Sequence, residues 1–444
     1  MFLDRLDNFL YDFILFLEGK MVELKFSAGD EVKIGLAMKE VSGTILESYE
    51  KDVVLLKLDS GYNIGIPKDN IHGYKVVKKY KGPEIKYKKP VFKKGKPTIG
   101  MVVTGGTIAS KVDYKTGGVR PPENEEEFAS FYPSLFENYN VKVKIPFMID
   151  SSSMSSDEWK KVAFEVKAFL DDKDVDGVIV THGTDSLHYT SSALSFFLRD
   201  LNKPVVLTYS QRSIDRASSD AKFNLECAAR FATSDCTEVV IVGRGSINDD
   251  FCYAMRGTKV RKLHSSRRDA FKPVNCLPIA KVTKDEIEFL ESYNSNRKGK
   301  VVLDDSFSDK IALIKFVPGT DPSILDYYVS KGFKGIVIEM LGMGLVAGED
   351  SKKSWIPAVR KAIKSGVVIC AAAQTIYGRL NPNVYSIGRD LEKAGVIYLK
   401  DMLSETAFVK LGWVLGHRSW RSYDKIREKM LENVSGEFSE ILSE

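Results

Sequence analysis

Short apolar runs alternate with helical periodicity along the chain beyond residue 97. Four of these runs have the composition of buried strands, at residues 102–103, 178–180, 205–207 and 239–242. Between two of them, residues 155–172 repeat apolar side chains at helical spacing and open with the capping-box pair Ser155 and Glu158. Strands and helices in this alternation predict a three-layer α/β fold, with a parallel sheet covered on both faces.

A second alternating set follows a charged, turn-prone stretch. Its apolar runs lie at residues 311–317, 335–339 and 367–370, and helical patterns lie near 322–330 and 354–364. We therefore predict a larger α/β domain at 98–282, a connector at 283–308 and a smaller α/β domain at 309–444.

The N-terminal part has a different pattern of apolar and polar residues. Strand-like runs at residues 26–34, 43–49, 53–58 and 62–66 are separated by Gly- and Asp-containing turns, which predicts a small SH3-like β-barrel at 21–80. Before it, residues 1–20 favour an amphipathic N-terminal helix. Aspartates at positions 4, 7 and 12 interrupt its apolar residues, and the uncharged run is too short for a signal sequence or a membrane span.

Composition places the chain among globular proteins. Of 444 residues, 43% are hydrophobic and 28% are charged. The five cysteines are odd in number and include no C-x-x-C pair, so the sequence indicates neither a disulfide framework nor a zinc site. A reducing cytoplasm is the expected compartment.

Positive charge is concentrated in one segment. The net charge is +5, but residues 75–97 contain ten lysines and only one acidic residue, Glu84. The stretch 81–97 is therefore predicted to be a lysine-rich linker. Such a run either stays solvated or follows a phosphate backbone, and the sequence leaves both interpretations open.

Two polar motifs directly follow apolar strand runs. In the first, T-G-G-T at 104–107, the paired glycines allow the backbone to turn close to a ligand and leave Thr107 at the start of the next element. A phosphate cradle is the alternative, but neither G-x-x-x-x-G-K-[ST] nor G-x-G-x-x-G is present. Ligands of open parallel sheets bind where strands end, so this turn is a candidate site.

The second motif is T-H-G-T-D at 181–185. Gly183 lets the chain turn, while Thr184 and Asp185 supply a hydroxyl and a carboxylate. These two residues either do chemistry or cap the following helix. The histidines at 182 and 188 have no metal-ligand spacing, so we interpret them as structural and predict no metal site.

A third segment, residues 255–271, contains Lys262. A lysine partly withdrawn from water can act as a base or proton relay for a threonine. Other basic residues surround it, so spacing alone does not distinguish Lys262 from its neighbours.

The chain resembles the L-asparaginase and glutaminase superfamily in three stretches that occur in this order: T-G-G-T-I-A-S, T-H-G-T-D and V-x-K-x-x-x-S-x-R-D-A-F. The resemblance runs from about residue 97 to the end. It implies a larger and a smaller α/β domain and hydrolysis of a side-chain carboxamide by two threonine-centred groups. Thr107 would be the nucleophile, and Thr184, Asp185 and Lys262 would form the second group. Which threonine attacks first is left open.

The resemblance also implies roles in substrate binding. Backbone N–H groups near Gly106 and Gly183 become candidate oxyanion donors. Ser151 would hold the α-amino-acid end of the substrate, although Asp150 stands where the family pattern has glycine. Residues 111–122 would form a flap over the site and contribute Tyr114.

A barrel and a linker before an asparaginase-like body are similar to the archaeal amidotransferase branch of this superfamily. That similarity implies an ammonia-releasing subunit within a complex that amidates glutamyl-tRNA(Gln). A partner subunit would bind the tRNA, ATP and Mg²⁺, this chain would need no cofactor, and its homodimer would form the core of a heterotetramer. Two alternatives remain, a free-standing L-asparaginase and a non-catalytic RNA-binding scaffold. Glutamine and asparagine both remain possible amide donors.

Overall fold

The structure, a computed structural model, describes residues 24–48, 50–60, 62–80, 92–112, 119–120, 122, 125–216 and 218–442. The predicted N-terminal helix, Tyr114 and most of the predicted linker lie outside these ranges. The chain divides into two compact units, residues 1–88 with 110–121 and residues 89–109 with 122–444.

The first unit contains a five-stranded antiparallel sheet. Its strands are β1 Glu31–Gly35, β2 Glu40–Leu46, β3 Val53–Leu58, β4 Asn63–Pro67 and β5 Gly73–Lys78. They lie in the order β4-β3-β2-β1-β5. Alternate residues such as Val32, Ile34 and Leu56 are buried, because side chains of a strand point to opposite faces. This sheet occupies the segment for which a small barrel was predicted.

The other strands and the helices follow in chain order. The strands are β6 Thr98–Val103, β7 Lys111–Val112, β8 Val119–Arg120, β9 Asn140–Lys144, β10 Gly177–Thr181, β11 Leu198–Arg199, β12 Val205–Thr208, β13 Val239–Arg244, β14 Cys252–Arg256, β15 Val260–Lys262, β16 Phe271–Pro273, β17 Ala280–Val282, β18 Ile287–Phe289, β19 Val302–Leu303, β20 Ile311–Lys315, β21 Gly335–Met340, β22 Val368–Ala373 and β23 Ile397–Tyr398. The helices are α1 Glu125–Phe131, α2 Pro133–Asn138, α3 Ser156–Asp171, α4 Leu187–Phe197, α5 Ala221–Ala232, α6 Ile324–Ser330, α7 Ile356–Lys364, α8 Ser386–Ala394, α9 Ser404–Gly416 and α10 Tyr423–Leu431.

An eight-stranded sheet, in the order β18-β17-β14-β13-β12-β10-β6-β9, forms the centre of the larger domain. The predicted parallel arrangement is correct for β6, β10, β12 and β13, and β9, which was not predicted, also pairs parallel to β6. The parallel arrangement is wrong for β14, β17 and β18, which pair antiparallel. The physical reason is the connection, since short loops join β13 to β14 and β17 to β18 and only antiparallel strands can be joined so tightly. Moreover, β18 lies inside the predicted connector, which therefore contributes a strand to the sheet.

The smaller domain has a parallel four-stranded sheet in the order β20-β21-β22-β23. Its helix α9 packs against α4 of the larger domain, and one hydrophobic core includes Leu194 from α4 and Leu411 from α9. The start of α9 is thereby held beside the larger domain.

Helix α3 shows how local sequence sets an element. Ser155 is its N-cap and forms the predicted capping box with Glu158, while Trp159, Val162 and Val166 are buried on one face. The predicted helix is confirmed. In the described part of the chain, no helix combines the length and apolarity needed to cross a membrane.

Candidate active site

The two threonine motifs meet at one edge of the larger sheet. Strands β6 and β10 are parallel neighbours, with Val103 opposite Thr181 at their carboxyl ends. T-G-G-T follows the first strand and H-G-T-D follows the second. Both strands end at the same edge of the sheet, and each motif directly follows its strand in the sequence. Both motifs therefore lie at that edge.

Glycine allows the two turns to touch. Gly106 has φ +77°, and a Cβ at this position would lie 2.5 Å from both the Cα and N of Gly183. Gly105 has φ +123°, and a Cβ there would lie 2.5 Å from the Ile149 carbonyl oxygen. Thr107, which follows this contact, begins a short 3₁₀ turn, Thr107–Ala109. The predicted nucleophile thus lies directly beside the second motif.

Ser151 contacts the second turn and supports it. A Cβ on Gly183 would lie 2.7 Å from Ser151 Oγ, and the same hydroxyl oxygen accepts a hydrogen bond of 3.2 Å from the Asp185 backbone N–H. Ser186 Oγ donates to the Ser151 carbonyl oxygen. Ser151 is only 4% exposed. The structure therefore shows a supporting role for this serine, and its predicted contact with substrate stays a prediction.

Lys262 joins the second motif from strand β15. Its Nζ donates to Thr184 Oγ1 at 2.8 Å and to Asp185 Oδ1 at 2.8 Å. The lysine side chain is 12% exposed, whereas that of Asp185 is 67% exposed. The largely buried Lys262 ammonium therefore polarises Thr184 Oγ1, while its counter-ion, the Asp185 carboxylate, is exposed to solvent. This is an arrangement that makes a threonine hydroxyl reactive.

The alternative that Thr184 or Asp185 caps the next helix is wrong. Helix α4 has Ser186 as its N-cap residue and no side-chain cap bond, and the N–H groups of Tyr189 and Thr190 bond to the Ser186 carbonyl oxygen. The side chains of Thr184 and Asp185 instead meet Lys262.

The two histidines near the motif are buried. Nδ1 of His182 lies 2.7 Å from the Gly183 carbonyl oxygen and Nε2 lies 2.9 Å from Thr190 Oγ1, so the ring donates through Nδ1 and accepts through Nε2. Burial lowers the pKa of His182 to about 4. Burial, followed by the charges of Arg261 and Lys262, lowers the pKa of His188 to about 3. Both rings are neutral at physiological pH.

Acid is expected to destabilise the chain through these histidines. The unfolded chain protonates each imidazole near pH 6.5, whereas the folded chain resists protonation until about pH 4 or 3. Their contribution to stability is thus present above pH 6.5 and decreases as the pH falls, by about 2 kcal/mol per imidazole between pH 7.5 and 5. Urea denaturation at both pH values measures it. In His188→Gln the pH-dependent difference should shrink by about 2 kcal/mol, and an unchanged difference would contradict the assignment.

One contact between the site and the smaller domain was not predicted from the sequence. Arg261 Nη2 lies 2.9 Å from Glu405 Oε1. Arg261 was one basic residue among many, and Glu405 carries no motif, so only the packing of α9 brings them together. Within the described ranges, no cluster of three or more His, Cys, Asp or Glu side chains could hold a metal ion.

Comparison with known protein families agrees with the geometry. Residues 98–294 match the family model described as asparaginase, N-terminal. Residues 310–430 match the glutaminase/asparaginase C-terminal domain, and residues 26–77 match the GatD N-terminal domain. Together these models cover both α/β domains and the N-terminal sheet.

Full-length relatives decide the family. The GatD protein of the glutamyl-tRNA(Gln) amidotransferase from Thermococcus kodakarensis is 46% identical over 404 residues, covering 89% of this chain and 90% of that protein. The chain belongs to the GatD family of glutamyl-tRNA(Gln) amidotransferase subunits. A more distant GatD, from Methanococcus maripaludis, is 39% identical and covers 94% of this chain and 99% of its own length. The predicted resemblance is confirmed.

Two solved L-asparaginase structures share the fold of this chain. The thermostable L-asparaginase of Thermococcus kodakarensis matches with a TM-score of 0.69 and 29% identity, over 77% of this chain and 99% of that enzyme. L-asparaginase I of Vibrio cholerae matches with a TM-score of 0.67 and 26% identity, over 78% of this chain and 100% of that enzyme. The predicted fold class is confirmed.

Proposed function

We propose that this chain is the amide-hydrolysing subunit of a tRNA-dependent amidotransferase and releases ammonia from glutamine or asparagine. The observation that carries the proposal is the contact of Lys262 Nζ with both Thr184 and Asp185, beside the turn that presents Thr107. Family membership supplies the biological context. A hydroxyl, a lysine and a carboxylate at one strand end are suited to acyl transfer.

Thr107 is the proposed nucleophile. Its Oγ1 attacks the amide carbon of the donor, its proton passes to the departing nitrogen, and ammonia leaves an ester on Thr107. Peptide N–H groups of the turns at Gly106 and Gly183 stabilise the oxyanion. Glycine at both positions keeps the backbone close to the reacting carbonyl.

The second group completes the cycle. Thr184, polarised by Lys262, orients the water that hydrolyses the ester, and Asp185 keeps Lys262 in place. Hydrolysis returns the Thr107 hydroxyl and releases glutamate or aspartate. Ser151 supports the Asp185 backbone, and we assign to it the binding of the donor's α-amino-acid end, with Tyr114 of the flap as a further substrate-binding residue.

The partner performs the other half of the reaction. The relatives are named as one subunit of an enzyme acting on glutamyl-tRNA(Gln), so we propose a cytoplasmic complex in which a partner subunit binds the tRNA. ATP and Mg²⁺ belong to that subunit, which activates the glutamate that ammonia then attacks. A homodimer of this chain forms the core of a heterotetramer.

Reconstitution tests this proposal. Ammonia release from glutamine and from asparagine is measured for the chain alone, with the partner, and with the partner plus Glu-tRNA(Gln) and ATP. We expect the full mixture to form Gln-tRNA(Gln) and to accelerate ammonia release by about tenfold or more. The donor with the higher kcat/KM identifies the physiological amide.

A free-standing L-asparaginase is the second candidate, because two solved structures with this fold are L-asparaginases. Rapid asparagine hydrolysis by the isolated chain, with no response to partner or tRNA, would favour it. No ammonia release under any condition would contradict both enzymes and leave an RNA-binding scaffold.

A further inference from the structure

The strand that carries Lys262 is anchored on its other face by the smaller domain. Arg261 Nη2 lies 2.9 Å from Glu405 Oε1, and the Glu405 side chain is only 8% exposed. Arg261 and Lys262 are neighbours on β15, whereas Glu405 is in the first turn of α9. Adjacent residues of a strand point to opposite faces. The ion pair therefore holds one face of β15 and the bonds of Lys262 hold the other.

This strand depends on such anchors. Strands β15 and β16 form a separate two-stranded sheet, and each strand has three residues. A two-stranded ribbon is marginally stable by itself. Its position, and with it the position of Lys262 Nζ, is therefore set by the core packing of its own Val260 and Phe271 together with polar side chains that reach it from the surrounding domains.

Glu405 lies beside a serine and a second carboxyl group of the smaller domain. Ser404 Oγ lies 3.2 Å from Glu405 Oε2 and 2.7 Å from Glu339 Oε1, and Glu339 is near the carboxyl end of β21. The Glu405 side chain is only 8% exposed, so it is a buried carboxyl group at the junction of both domains, where a paired cation offsets the cost of burying its charge.

Arg261 is that cation. His188 lies nearby, but its Nε2 is 3.9 Å from Glu405 Oε1, beyond hydrogen-bond distance. Burial, and then the charges of Arg261 and Lys262, lowers the pKa of His188 to about 3, so this ring is neutral. Nδ1 of His188 has no hydrogen-bond partner among the described residues. The counter-charge of Glu405 on this strand is therefore the guanidinium of Arg261.

We propose that Glu405 is a positioning residue of the amide-hydrolysing site. It holds Arg261, and through it the β15–β16 ribbon, so that Lys262 Nζ stays bonded to Thr184 and Asp185. The orientation of the smaller domain is thereby coupled to the lysine. This inference rests on the proposed role of Lys262 in amide hydrolysis.

Glu405→Gln, Arg261→Gln and the double variant test the proposal in the full chain bound to its partner subunit. Each single change should lower kcat for amide hydrolysis by about tenfold, because a small displacement of a catalytic group is costly. KM should change by less than about twofold, since neither side chain belongs to the groups proposed to bind the donor. The double variant should be no slower than the slower single variant, because both changes remove the same interaction. Glu405→Asp should recover part of kcat.

Thr406→Val is the matched control. Thr406 is the next residue of α9, is 2% exposed and donates to the Thr258 carbonyl oxygen at 2.9 Å, so its replacement loosens the same domain contact without touching Arg261. It should lower Tm and keep kcat. An equal loss of kcat in Thr406→Val, additive losses in the double variant, or wild-type kcat in Glu405→Gln would each overturn the positioning role. Full activity in Lys262→Met would instead refute the proposed function of the lysine.

Discussion

Lys262→Met is expected to reduce amide hydrolysis by about 10³-fold while the chain stays folded. Methionine keeps much of the apolar stem but removes the ammonium that polarises Thr184 Oγ1. Both the activation of water and the placement of Asp185 depend on that charge. The stability cost should be small, because Asp185 is 67% exposed and an ion pair with a solvated partner contributes less than about 1 kcal/mol.

The measurement is kcat/KM from ammonia release, with thermal unfolding of the same preparation. Lys161→Met is the control, since Lys161 also faces a carboxylate, Glu158 at 3.4 Å, but its side chain is 59% exposed on α3. It should keep wild-type kcat/KM. A folded Lys262→Met variant with more than about a tenth of wild-type activity would remove Lys262 from the mechanism.

The proximity of the two threonine motifs could be predicted from sequence, because the position of each motif follows from the strand directly before it. Each motif follows a run of residues with the composition of a buried parallel strand, and parallel strands open their carboxyl ends at one edge of the sheet. The motif at 104–107 and the motif at 181–185 therefore had to lie at the same edge, and β6 and β10 are direct neighbours.

Lys262 needed the family resemblance, since its own segment gave no distinguishing pattern. Strand β15 has only three residues, too few for a period to be recognised. Its partner β16 lies across a loop that is also rich in basic residues. The Arg261–Glu405 pair could not be predicted from sequence either, because it forms only once α9 has packed on the larger domain.

The antiparallel edge of the larger sheet escaped prediction because its strands are short and partly exposed. In β18, Ile287 and Phe289 are half-buried while Glu288 is exposed, which from sequence is equally typical of a charged connector. The four inner parallel strands, β6, β10, β12 and β13, are almost fully buried, and this produces the continuous apolar runs that identified them.

Gly106→Ala is expected to reduce amide hydrolysis strongly and to destabilise the chain by about 3 kcal/mol. The added Cβ would lie 2.5 Å from the Gly183 Cα and N and 2.8 Å from the His182 carbonyl carbon. All three atoms belong to the backbone, so no side-chain rotation can relieve the overlap. The turns must separate, which moves Thr107 away from Thr184 and costs at least about 10²-fold in kcat/KM.

Gly366→Ala separates this steric overlap from backbone strain. Gly366 has φ +83°, close to the +77° of Gly106, but nothing lies within 4 Å of an added Cβ there. It should therefore incur only the left-handed strain, about 1 kcal/mol, and retain wild-type activity. Urea denaturation and ammonia release compare the two variants. An equal loss of stability in both, with activity retained in Gly106→Ala, would mean that the two threonine motifs function without close backbone contact.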